Sequence, residues 1–154
     1  MNRLVVGLFP SAATAASSYA HWGARNIVIS DRTGDPGWQV ASKRAVQVWA
    51  EAGAAIQVSW REGGIGCSFS GTVVPFCRDA IQQGWTGATA WRASGDGHLD
   101  GNVVLVDASR TFSQPLKDAI ACHELGHVLG LNHTSNAASC LDSRSTSTRP
   151  SAQD

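Results

Sequence analysis

The chain predicts an α+β fold with its elements in the order strand, helix, strands, helix, and three observations predict it. Apolar residues alternate with polar ones in several short runs, as half-buried strands require, whereas residues 36–52 repeat theirs at helical spacing. A second helical segment carries two histidines four residues apart and stops at a glycine. With 154 residues, 43% apolar and 16% charged, the chain is long enough for one domain with its own core.

Residues 26–30 alternate as the first strand. Asp35 and Pro36 suit an N-cap and a first helical position. Trp38, Ala41, Ala45, Val48, Trp49 and Ala52 then make one apolar face, while Lys43, Arg44 and Glu51 look outward and Gly53 supplies a stop. The tryptophans of that face read as core. Ile56, Val58 and Trp60 alternate as a second strand. Residues 72–76 form a short one that Pro75 assigns to an edge or a bulge, because proline has no N–H to give a ladder. Residues 87–92 and 102–107 read as two further strands joined by the glycine-rich loop 94–101, and the second helix starts near Ser113 and Pro115. The tail, 142–154, is polar. Pro150, Ser151 and Asp154 fit the start of a helix that the chain does not complete, and a disordered terminus fits them equally.

Residues 123–133 read HELGHVLGLNH. Positions four apart share one helix face, so His123 and His127 can aim ring nitrogens at one metal ion. His133 would point about 120° away from that pair if the helix continued. Gly130 can take the left-handed conformation that ends a helix, and the chain can then return His133 as a third ligand. Three neutral imidazoles leave a fourth position for water, the mark of a catalytic zinc site. Glu124 stands beside the ligand row and not in it, which suits a general base. It would take a proton from water activated by the zinc and return it to the departing amine.

HELGHVLGLNH fits H-E-x-x-H-x-x-G-x-x-H, and on it the chain resembles the metzincin clan of zinc metalloproteases. The third histidine is similar to that of matrixins and astacins, whereas snapalysin-like enzymes usually place aspartate there; the small size is similar to compact bacterial secreted members. The resemblance implies a zincin domain with a twisted mixed sheet, two long helices and a short C-terminal subdomain. It assigns zinc to His123, His127 and His133, and the base to Glu124. It also implies a methionine turn, where this chain has Leu141 in Ser139-Cys140-Leu141-Asp142; the only methionine is Met1. Leucine has a similar volume, and such swaps usually cost under about 1.5 kcal/mol. No tyrosine follows Leu141, so the tyrosine ligand of astacin-like enzymes has no counterpart. Residues 87–92 resemble the clan's edge strand above the cleft, where an extended peptide could add by main-chain hydrogen bonds; an ordinary solvated edge strand gives the same pattern. Matrixins bind additional structural metal ions near the loop equivalent to GDGHLDG. Asp96, His98 and Asp100 are therefore candidates for a further structural Zn2+ or Ca2+, and equally the polar residues of an exposed hairpin loop. His21 has no partner at ligand spacing and reads as a surface residue.

A formal net charge of zero, with no basic run, gives no footprint for nucleic acid or an anionic membrane. No apolar stretch approaches the 18 residues of a membrane span, so the expected protein is a soluble monomer acting on proteins or peptides. Residues 1–16 resemble a clipped secretory signal, with Arg3, a short apolar run and small residues before position 17; an N-terminal apolar strand is the alternative. Residues 17–154 would then be one catalytic domain. The four cysteines suit an oxidising compartment and permit three pairings, of which locality favours Cys67 with Cys77 and Cys122 with Cys140. A thiolate zinc site would need close C-x-x-C pairs, which are absent. The expected activity is therefore that of a secreted zinc endopeptidase. The alternatives are a weak or inactive zinc-binding homologue that holds peptides or a partner, and a zinc hydrolase of non-peptide amides.

Overall fold

The structure, a computed structural model, describes residues 21–154. The segment read as a secretory signal lies outside the described residues. The chain forms β1 (His21–Trp22), β2 (Asn26–Asp31), α1 (Pro36–Glu51), β3 (Gln57–Glu62), β4 (Val73–Asp79), β5 (Gly87–Ala93), β6 (His98–Asp107) and α2 (Gln114–Val128). All six strands join one mixed sheet. β3, β2, β4 and β6 run parallel as neighbours, β1 adds to the start of β6 in parallel, and β5 is antiparallel to β6. From β2 onwards the order strand, helix, strands, helix is the one expected; the two-residue β1 before it is an addition.

Parallel strands must bury both faces or at least one face well, and residues two apart share a face. Ile27 and Ile29, Val74 and Phe76, and Val104 and Val106 are such pairs. They join one core with Trp38, Ala41, Ala45 and Trp49 of α1 and with Ile120, Ala121, Leu125 and Val128 of α2. Each large aliphatic or aromatic side chain buried this way contributes about 1.5–3 kcal/mol. α1 begins as expected: the Asp35 carboxylate accepts from the Trp38 N–H at 3.0 Å, and Pro36 follows at the first position. Its buried face differs at four places, for Val46 is buried and Val48 only partly so. Ala52 is exposed, and Ser42 is buried because its hydroxyl donates to Asp31 at 2.6 Å and accepts from the Trp60 indole at 2.9 Å.

Two strand expectations need correction. β4 is an interior strand between β2 and β6, despite Pro75. Registered pairing with β6 begins at Phe76, one residue beyond Pro75, so the ladder asks nothing of the proline nitrogen there. The loop expected over 94–101 is a tight turn: Ser94 N–H donates to the His98 carbonyl at 2.8 Å, and β6 already starts at His98. The polar tail forms hydrogen-bonded turns and no helix. Cys140 N–H donates to the Arg149 carbonyl, and the Asp154 carboxylate accepts from the Ser139 hydroxyl at 2.6 Å. Both favoured disulfides, Cys67–Cys77 and Cys122–Cys140, are present. No helix among the described residues is long and apolar enough to cross a membrane.

Candidate functional site

α2 begins after Ser113, whose side chain makes no capping bond, and its last turns carry HELGH. Its end is a Schellman motif. Gly130 N–H donates to His127 O, Leu131 N–H donates to Gly126 O, and Gly130 has φ +90°. A side chain at that φ is strained, so glycine is what lets the chain reverse. Trp22 Nε1 and Asn102 Nδ2 both donate to the Val128 carbonyl, at 2.7 and 3.1 Å, which fixes the helix end to the sheet.

The reversal brings His133 to His123 and His127. The three Nε2 atoms lie 3.1 Å from one another in every pair. Carbonyl oxygens set the outer nitrogens: His123 Nδ1 donates to Cys140 O at 2.8 Å, and His127 Nδ1 donates to Leu131 O at 2.9 Å. A carbonyl only accepts, so both rings carry the proton on Nδ1 and turn an Nε2 lone pair to the centre. Burial, first among the causes, lowers all three histidines, His127 to about 3, while the Asp142 charge works the other way on His123 and His133. Neutral rings are the ligand form.

Lone pairs facing one another repel unless a cation lies between them, so the trio is a donor set for a metal ion. Tetrahedral zinc at about 2.0–2.1 Å from each nitrogen would hold the nitrogens roughly 3.3–3.4 Å apart. The observed spacing is within a few tenths of an ångström of that, and the residues fit zinc. Among the described residues no other group of three His, Cys or carboxylate donors converges.

The trio opens on a cleft of about 560 Å³. One wall is residues 84–89, entering and beginning β5; the floor is α2, with Leu116, Ala119 and Ile120; the other wall is residues 142–146. Glu124 faces the same cleft but is only 4% exposed. Burial pushes its carboxyl up to about 7, against the opposing hydrogen bond from Thr89. The Cys122–Cys140 bridge joins the residue before His123 to the residue whose carbonyl orients that ring. Leu141, 1% exposed, packs on Gly126 of α2: a Cβ there would lie 2.5 Å from Leu141 Cδ2. Leucine at this position thus fills the floor under the helix.

All four residues singled out in the motif meet at this cleft. The loop residues do not join them. Asp96 is paired with Ser94 and with His98 Nδ1, and Asp100 with Arg92 at 2.6 Å. His21 is an exposed residue of β1 that meets His98 edge to face, ring centroids 4.7 Å apart. The reading of the sequence missed Thr89, whose hydroxyl donates to Glu124 Oε2 at 2.7 Å, and the carbonyls of Cys140 and Leu131. Main-chain acceptors leave no mark in a sequence, and a lone threonine in a strand is ordinary composition.

The family model described as Matrixin matches residues 38–152. Among solved structures, two of myroilysin are similar in fold. One is 16% identical with TM-score 0.44 and covers 74% of this chain and 45% of that one; the other is 15% identical with TM-score 0.43 and covers 74% and 47%. The chain therefore spans less than half the length of these solved chains. No curated protein matches it.

Proposed function

The chain belongs to the matrixin family, and from that premise we propose that it is a zinc-dependent endopeptidase with residues 17–154 as a single catalytic domain. The observation that carries the reading is the meeting of three Nε2 atoms 3.1 Å apart beside a buried carboxylate in an open cleft. His123, His127 and His133 would hold the zinc. Bound there, zinc supplies Lewis acidity that polarises a peptide carbonyl and acidifies water.

Glu124 is the general base and later the general acid. Its carboxylate takes a proton from the attacking water and hands it to the leaving amine; raised to about 7 by burial, it can do both near neutral pH. The carbonyls of Cys140 and Leu131 keep His123 and His127 in the tautomer that ligates. Among the described residues β5 pairs with β6 alone. Its other edge supports an extended peptide laid along the cleft wall by main-chain hydrogen bonds, with modest dependence on the peptide's sequence. Two disulfides and the absence of a membrane-crossing helix among the described residues accord with work outside the cell; the proposed substrates are proteins or peptides, and the proposed state is a monomer.

Peptide-library cleavage with equimolar zinc, repeated with a zinc chelator and with Glu124→Gln, tests this. Cleavage should vanish with the chelator and return with zinc, and Glu124→Gln should keep the metal while losing about 10²- to 10⁴-fold in kcat. A protein that binds zinc and peptides without cutting any would instead be a binding module.

A further inference from the structure

Gly87 and Thr89 lie two apart on β5 and so share a face. Their register partners on β6, Val106 and Val104, are both fully buried, which places that face towards the helices. There the Glu124 carboxylate meets them both. The Thr89 hydroxyl is 2.7 Å from Glu124 Oε2 and 3.1 Å from the Glu124 main-chain oxygen. It has one proton to give, and a carboxylate is the stronger acceptor. At Gly87 a Cβ would stand 2.6 Å from Glu124 Oε1 and 3.0 Å from its Cδ and Cγ, so the missing side chain is the space the carboxylate occupies. Gly87 has no left-handed φ. Its glycine is needed for room and not for a turn.

We propose that Thr89, with the gap at Gly87, is a positioning residue: it clamps the Glu124 carboxylate against the edge strand and fixes which lone pair faces the cleft. This rests on the reading of Glu124 as the base. A glutamate side chain has three rotatable bonds, and a buried one that must meet a water molecule gains from having its orientation set in advance. The strand proposed to bind the peptide would thereby also hold the base, so that substrate and base share one support.

Thr89→Val keeps the shape and removes the proton donor; Thr89→Ser keeps the donor and removes a methyl. Measured at equimolar zinc, Thr89→Val should lower kcat about 10- to 100-fold, the range for lost outer-shell partners, with KM unchanged. Thr89→Ser should recover most of that loss. Gly87→Ala should also lower kcat, since its Cβ displaces the carboxylate. If Thr89→Val does not fold, as judged by its Tm, Thr89→Ala against Thr89→Ser makes the same comparison. Wild-type kcat in Thr89→Val, equal damage in the serine variant, or a change in KM alone would overturn the inference. Glu124→Gln run alongside separates the two readings: if it still turns over, the base assignment falls and Thr89 with it. If Glu124→Gln is dead and Thr89→Val fully active, only the clamp falls.

Discussion

The histidine trio and the turn at 94–100 contain much the same residue types, yet only one of them gathers donors. In the turn every charged side chain answers a neighbour in sequence: Asp96 answers Ser94 and His98, and Asp100 answers Arg92. The Ser94 hydroxyl is the main reason that the Asp96 carboxyl lies well below the usual carboxylate range. In the trio His123 and His127 spend their outer nitrogens on the carbonyls of Cys140 and Leu131, and the Nε2 atoms of all three rings face one another. A cluster becomes a metal site when its other hydrogen bonds are already met elsewhere and its lone pairs converge. Residue type alone does not decide this.

The largest test of that contrast removes one histidine from each region. His133→Ala should take zinc below one per chain and lower hydrolysis more than about 100-fold, beyond what losing an outer-shell partner does. His98→Ala should leave both as they were, and zinc lost from that variant would give the turn a metal role. Next come the disulfides, each closing a loop whose removal costs about 3 kcal/mol. Urea midpoints should fall for both double alanine variants, but only Cys122→Ala with Cys140→Ala should also weaken zinc about 10- to 100-fold in chelator competition, since it frees the carbonyl that orients His123. Equal zinc affinity in the two variants would show that the bridge supports the fold and not the ring.

A smaller effect is expected under the helix. Gly126→Ala sets a Cβ 2.5 Å from Leu141 Cδ2 and 2.9 Å from Trp49 Cζ2, and should cost about 1–3 kcal/mol of stability, read as a shift in Tm. The smallest belongs to the turn. Asp96 is depressed in the fold, so whatever it adds is fully present above the usual carboxylate range near pH 4 and is lost as the pH falls below that range through the depressed folded value. Asp96→Asn should therefore lower Tm slightly at pH 7, the effect being small because the carboxylate is exposed, and leave metal content unchanged. A calcium-dependent Tm that disappears in this variant would break the contrast.

Much of this is legible in the sequence. The cap at Asp35 and Pro36, the stop at Gly130 and the strand alternation of Ile27 and Ile29 are local signals, each tied to one residue's conformational or solvation preference. The ligand spacing of His123 and His127 is helical geometry and nothing more. Pro75 misled for the opposite reason. Its penalty depends on which neighbour the missing N–H would have faced, and that is a property of the sheet register.

The sequence by itself determined the order of the main elements and the four residues at the cleft, because helix periodicity and a glycine turn act over a few residues, and it favoured two disulfides by proximity along the chain. Only the tertiary structure decided that Thr89 and Gly87 meet Glu124, that Cys140 and Leu131 orient the rings, and that the turn at 94–100 stays apart. Those contacts join positions 17 to 37 residues apart, or pair side chains with main-chain oxygens that every residue has; packing selects among them, and no local pattern can.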